Sequence, residues 1–360
     1  TPPKWRHNGE MIDPSKSLAL TMGDPCGIGP EIVAAQWLSP QPLNAWVVGD
    51  PAVMERAVSA LAQRDPQAVQ LQVVPHAGAH PDPQPHLIPV WAPPDLPTGL
   101  STLPMGLIDE RAGRAAAVCV RAAARAVLAG QAAAMVTAPL HKEALSAAGE
   151  PFPGHTELLQ ALVTPAGQPL IPVRMMLANP ELRTVLVSIH VSLRQALEAV
   201  TFDNVLTTLR ITNESLQRMG VPHPRVAVAG LNPHAGEGGL FGDEELTTIG
   251  PAIEAARALG MTVTGPLAPD TVFMRARHAP DHPGEFDVVV AMYHDQGLIP
   301  VKYMGVAHGV NVTLGLPLVR TSPDHGTAFD LAGLGLADPS SMSEAMAVAQ
   351  RYPRDYEGII

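Results

Sequence analysis

The stretch Ser17-Leu-Ala-Leu-Thr-Met-Gly-Asp-Pro-Cys-Gly-Ile-Gly-Pro-Glu-Ile32 decides the fold class. Its first six residues are a short, mostly apolar run closed by Gly23, which reads as a buried strand. Gly23 to Gly29 is a loop. Pro30 then suits the first position of a helix, and Glu31 its first turn. A strand feeding a helix through a glycine loop is the repeating unit of α/β proteins. Gly27-Ile-Gly29 fails the dinucleotide-binding fingerprint, because Ile32 stands where the third glycine belongs. The pair reads instead as a tight strand–helix turn needing positive φ. An anion at the following helix N-terminus is a second use open to it.

The same unit recurs outward along the chain. Ala45 to Gly49, Leu71 to Val74, Leu87 to Val90, Ala134 to Thr137, Pro172 to Leu177, Thr184 to Ile189, Arg225 to Ala229, Asp287 to Met292 and Gly309 to Leu314 read as strands. Pro51 to Gln63, Met105 to Gly130, Phe202 to Met219 and Asp243 to Leu259 read as helices, and Thr327 to Leu336 starts a helical C-terminal region. The alternation predicts an α/β protein with mostly parallel sheets. It does not say whether there is one sheet or two.

Composition bounds the function. The 360 residues suffice for one large or two medium domains. A hydrophobic share of 46% and a charged share of 16% are those of a globular protein. A net charge of −11 without any basic run argues against nucleic-acid binding. Cys26 and Cys119 form no CxxC pair, which fits a reducing cytoplasm. Residues 1–16 are a polar, irregular tail without the apolar core of a signal peptide. No apolar run is long enough to span a membrane. The expected location is cytoplasmic.

Three apolar strands run into a histidine: His190, His234 and His294. In open α/β sheets ligands bind beyond the carboxyl ends of strands. Three imidazoles converging there could hold one divalent ion and leave a position open for substrate. Asp295 and Glu237 either orient these rings or cap turns. His141 and Lys142 follow another strand, and Gly154-His155-Thr156-Glu157 offers a histidine, a hydroxyl and a carboxylate. Lys302 and Arg320 are isolated cations in segments poor in charge. Each suits either an anion contact or a surface position. No GxSxG, HExxH or Walker A sequence occurs.

Together these segments resemble the 4-hydroxythreonine-4-phosphate dehydrogenase family of pyridoxal phosphate biosynthesis. The matching stretches are TMGDPCGIGPEI (21–32), VTAPLHKEAL (136–145), PFPGHTELL (151–159), GLNPHAGEGGLFGDEE (230–245), GPLAPDTVF (265–273), AMYHDQGLIPVKY (291–303) and GVNVTLGLPLVRTSPDHGTAFDLAG (309–333). The resemblance implies two α/β/α domains similar to isocitrate and isopropylmalate dehydrogenases, with the active site in the cleft between them. The expected partition is residues 17–138 with 304–360 in the first domain, and 139–303 in the second. It implies a homodimer whose active site is shared between subunits. It implies His190, His234 and His294 as metal ligands. His155, Thr156, Lys302, Asn311 and Arg320 would contact substrate, and Asp270 and Asp295 would line the site. The stretch Arg275 to Glu285 is an insertion relative to the family, and Val163 to Pro172 is expanded.

The implied reaction is oxidation of the C3 hydroxyl of 4-phosphooxy-L-threonine by NAD or NADP. Loss of CO2 then gives 3-amino-2-oxopropyl phosphate. One divalent ion (zinc, magnesium or cobalt) would lower the hydroxyl pKa and stabilise the enolate. Lys302, Asp270, Asp295 and an ion-bound water are the candidate proton acceptors. Related enzymes act on 4-phospho-erythronate or threonate, or on cis-dihydrodiol dicarboxylates. A hydrolase using a three-histidine ion is the alternative from another class.

Overall fold

The computed structural model describes residues 17–64, 69–79, 81–305 and 308–350. The expected tail 1–16 lies outside them. Among the described residues, twelve strands join one continuous sheet. They are β1 (Leu18–Thr21), β2 (Ala45–Val48), β3 (Gln70–Val73), β4 (Leu87–Trp91), β5 (Ala134–Thr137), β6 (Arg174–Ala178), β7 (Arg183–Leu186), β8 (Arg225–Ala229), β9 (Thr262–Leu267), β10 (Val288–Ala291), β11 (Val310–Leu314) and β12 (Arg320–Pro323). Their order across the sheet is β3-β4-β2-β1-β5-β12-β11-β6-β7-β10-β8-β9.

β3 to β12 form one parallel block, and β7 to β9 form another. Between them, β12–β11, β11–β6 and β6–β7 are antiparallel. An odd number of reversals leaves the two blocks running in opposite directions.

The helices are α1 (Gly29–Ala34), α2 (Pro51–Ala62), α3 (Glu110–Leu128), α4 (Lys142–Ala147), α5 (His155–Val163), α6 (Leu193–Ala199), α7 (Phe202–Arg218), α8 (Gly250–Ala258), α9 (Val272–Ala276), α10 (His294–Tyr303) and α11 (Ser340–Gln350). They cover the sheet, so β1, β2, β5 and β10 are buried along their whole length. That is why these strands read as continuous apolar runs. One large core includes Leu20, Trp46, Val136, Leu209 and Met342. A second core packs Leu186, Ala229, Val289 and Leu298 on the β7–β10–β8 block.

Several expectations are corrected. Thr327 to Leu336 forms turns, and the C-terminal helix begins only at Ser340. Glu31, 2% exposed, accepts backbone N–H bonds from Gly333 (2.5 Å) and Gly335 (2.7 Å) and holds that segment against α1. The helix expected from Met105 starts at Glu110, capped by Asp109. The one expected from Asp243 opens as a π-helical turn at Glu245–Ile249 before α8. Positive φ falls on Gly23 (74°), not on Gly27 or Gly29. Those two are glycine because a Cβ would sit 2.9 Å from Thr327 and 2.5 Å from the Met22 carbonyl. The stretch Arg275 to Glu285, expected to be an insertion, closes on itself through an ion pair between its end residues, 2.6 Å apart.

Candidate active site

β7, β10 and β8 are adjacent and parallel, so their carboxyl ends share one edge of the sheet. His294 leaves β10 as the first residue of α10. His190 lies four residues beyond β7, in a bend rather than at the strand end. The two imidazole centroids are 5.6 Å apart. Asp295 Oδ1 lies 2.7 Å from His294 Nδ1. A carboxylate cannot donate, so Nδ1 carries the proton toward it and Nε2 is left for a ligand. His190 is held below its ordinary pKa by burial, then by the charges of Lys142 and His294. Its neutral form, the one a metal accepts, is therefore favoured.

His234 takes a different path. The loop after β8 turns left-handed at His234 (φ 52°), Ala235 (53°), Gly236 (79°) and Glu237 (43°). Glu245, 3% exposed, anchors this loop by accepting from the Leu231 and Asn232 amides, both at 2.7 Å. The His234 ring lies 6.1 Å from that of Phe241. Among the described residues, no three His, Cys, Asp or Glu side chains converge as a metal site. One chain thus brings together His190 and His294, but not His234.

A second group lies where β5, β12 and β11 meet. Arg320, 6% exposed, donates to Thr137 Oγ1 (2.8 Å from Nη2) and to Thr313 Oγ1 (3.1 Å from Nη1). Both partners are neutral. No carboxylate pairs with Arg320 among the described residues, and Glu157 acts on it only through its charge. Burial pulls the guanidinium down to about 10, so it stays charged at neutral pH. His155, the first residue of α5, is held well below its ordinary pKa by burial and then by Arg320. It bonds the Ala138 backbone, and its Nε2 is buried without a partner. Because the carbonyl takes the Nδ1 proton, Nε2 is an acceptor waiting for a donor. Thr156 follows His155 in α5. Glu157's charge reaches both Arg320 and His190, linking the two groups.

Lys302, near the end of α10, lies 3.2 Å from Asp324. Asn311 on β11 donates to the same carboxylate at 2.8 Å. Asp270 is exposed in the turn before α9. The 23–29 loop spends its own groups: Cys26 N bonds Asp24 Oδ1, Gly27 N bonds Asp24 O, and Ile28 N bonds Thr327 O. Those amides are taken, so the expected anion cradle is absent from them. A cavity of about 60 Å³ between Asn179, Met219, His308 and Glu344 shares none of these residues.

A sequence model described as "Pyridoxal phosphate biosynthetic protein PdxA" matches residues 41–349. The chain belongs to this family. A 4-hydroxythreonine-4-phosphate dehydrogenase of Beijerinckia indica is 51% identical over 95% of this chain and 96% of its own. A D-threonate 4-phosphate dehydrogenase of Pectobacterium atrosepticum is 42% identical over 94% and 99%. A crystal structure of the Klebsiella pneumoniae 4-hydroxythreonine-4-phosphate dehydrogenase has a TM-score of 0.81 at 42% identity, covering 93% of this chain and 98% of that one. The chain is thus an enzyme of a dehydrogenase family. No helix among the described residues is long and apolar enough to cross a membrane.

For this PdxA-family chain, the sequence pointed to the Glu157 carboxylate beside His155 and Thr156, but not to Thr137, Glu245 or Asp324 as site-building residues. Thr137 ends a strand in VTAP and offered only its position. Glu245 falls inside the helix expected from Asp243, and Asp324 inside a stretch quoted only for its resemblance, so neither stood out as a buried carboxylate.

Proposed function

We propose that this chain oxidises the C3 hydroxyl of 4-phosphooxy-L-threonine with NAD or NADP, and that loss of CO2 yields 3-amino-2-oxopropyl phosphate. The observation that carries this reading is Arg320. A buried guanidinium bonded only to hydroxyls holds an unneutralised charge, which is costly unless an anion arrives. A phosphate or carboxylate would complete it, in a bidentate grip. Beside it, His155 Nε2 is placed to accept a hydrogen bond from a substrate hydroxyl.

His190 and His294 fit a divalent ion: the rings are neighbours, one neutral and one with a free Nε2. A zinc, magnesium or cobalt ion bound there supplies Lewis acidity, easing loss of the hydroxyl proton and stabilising negative charge on that oxygen. The third ligand, His234, would come from a second copy of the chain, so the working unit is a homodimer. Exposed apolar side chains close in sequence to two of the histidines support this: Val191 and Leu193 after His190 are 50% and 60% exposed, and Leu240 and Phe241 after His234 are 72% and 48% exposed. Exposed apolar surface of this kind marks an interface. The two lobes of the sheet would act as the two domains, 17–138 with 304–360 and 139–303.

Arg320 and Asn311 hold the anionic and polar ends of the substrate. Lys302, paired with Asp324, would offer its ammonium to an oxygen of the substrate. Asp295 is committed to His294, and Asp270 would border the site from its turn. The test follows reduced-cofactor absorbance with 4-phosphooxy-L-threonine, D-threonate 4-phosphate and a dihydrodiol, each with and without chelator. Turnover of the first, abolished by chelator, is expected. Turnover of the second alone would move the substrate to the threonate branch, and no turnover of any would reject the reading.

A further inference from the structure

We infer that Asp324 is a positioning residue for substrate, one that sets which face Asn311 offers a ligand and tethers the Lys302 ammonium. The inference rests on the function proposed above.

The antiparallel register pairs Asn311 with Ser322. Asp324 stands two residues beyond Ser322, on the same face, and so lies diagonal to Asn311. Arg320 is on that face too, two residues before Ser322. Asp324's side chain is only 7% exposed. Its Oδ1 accepts from Asn311 Nδ2 at 2.8 Å. Its Oδ2 is 3.2 Å from Lys302 Nζ yet accepts no hydrogen bond there, so that contact is charge attraction with a lone pair still free.

An ionised carboxylate has nothing to donate. Asn311 must therefore turn its NH2 toward Asp324, which fixes its carbonyl as the free end. That Oδ1 is buried with no donor. The ligand face thus presents a cation at Arg320 and acceptors at Asn311 Oδ1 and His155 Nε2. It selects a ligand carrying an anion together with a hydroxyl or ammonium donor. Remove Asp324's charge and the amide can rotate to offer NH2 instead, which rejects that donor. The backbone is held separately, since Asp324 N donates to Ser341 Oγ at 3.3 Å. A side-chain change should therefore leave β12 in place.

The test compares Asp324→Asn, Asp324→Glu, Asn311→Ala and the Asp324→Asn/Asn311→Ala double variant. Each is assayed with the phosphorylated amino-acid substrate and with its analogue lacking the amino group. Asp324→Asn should raise KM for the substrate about 10- to 100-fold, the range of one misdirected buried hydrogen bond. The KM for NAD should stay within about 2-fold. Discrimination against the deamino analogue should collapse, Asp324→Glu should restore part of it, and the double variant should discriminate no worse than Asn311→Ala alone. On the unliganded protein, an amine-reactive label should modify Lys302 several-fold faster in Asp324→Asn, read by peptide mass mapping. Additive losses with unchanged discrimination, or unchanged Lys302 labelling, overturn the inference. The labelling experiment needs no turnover, so it decides the Asp324–Lys302 tether even if the proposed substrate is wrong.

Discussion

Asp24→Asn isolates the effect of one buried carboxylate on stability. Asp24 is fully buried, and that burial raises its pKa from 3.8 to about 6. The Cys26 amide and the His141 ring oppose the rise, and Asp109 adds to it. Its Oδ2 has no partner. The native state therefore holds this proton more tightly than the unfolded chain, and stability falls as pH rises from about 3.8 to about 6. Above pH 6 the loss levels off. Two pKa units correspond to about 3 kcal/mol, of which about 1 is already incurred at pH 4.5. Asparagine keeps the acceptor for Cys26 N and cannot ionise. Whatever fixed cost its amide brings is the same at every pH. The variant-minus-wild-type difference in unfolding free energy should thus shift by about 2 kcal/mol in the variant's favour between pH 4.5 and 8. Urea unfolding at a fixed protein concentration reads it. A difference that does not change with pH would refute the claim that Asp24 is forced to ionise without compensation.

Other substitutions probe the site. Arg320→Ala should weaken the phosphorylated substrate about 100-fold or more while changing NAD binding little, as two charged hydrogen bonds vanish. Equal losses for both ligands in titrations would reject the anion role. His234→Ala should strip bound metal in elemental analysis while circular dichroism stays native. Mixing it with His294→Ala should then recover up to about a quarter of wild-type activity, because half of the re-paired dimers carry one intact site of two. No recovery would mean that all three ligands belong to one chain. Glu31→Ala should cost about 2–4 kcal/mol by orphaning the Gly333 and Gly335 amides. An unchanged denaturation midpoint would show that those bonds are dispensable.

How much was legible depends on where each residue's role is decided. β1, β5 and β10 were readable because burial on both faces writes itself into the sequence as Leu-Ala-Leu, Ala-Met-Val and Val-Val-Val. The histidines were readable as residues, since each follows such a run. Their convergence was not. A run of left-handed residues from His234 to Gly238 carries no hydrophobic period, and among the described residues His234 does not join His190 and His294 in a three-ligand group. The 327–336 stretch misled for the opposite reason. Its apolar residues suggested a helix, but its shape is set by Glu31, some three hundred positions earlier.

Asp324 shows why the chemistry of this site concentrates at the reversal of the sheet. In a parallel sheet, functional groups gather at strand ends. β11 and β12 run antiparallel between the two blocks, so residues within the strands face each other across the pair. Thr313 meets Arg320 through this pairing, and Asn311 reaches diagonally to Asp324, the first residue past the end of β12. The reversal that joins the two parallel blocks therefore also places a buried cation beside a fixed carbonyl acceptor. That gives a physical reason for an anion site there, and a reason why periodicity and loop motifs alone did not reveal it.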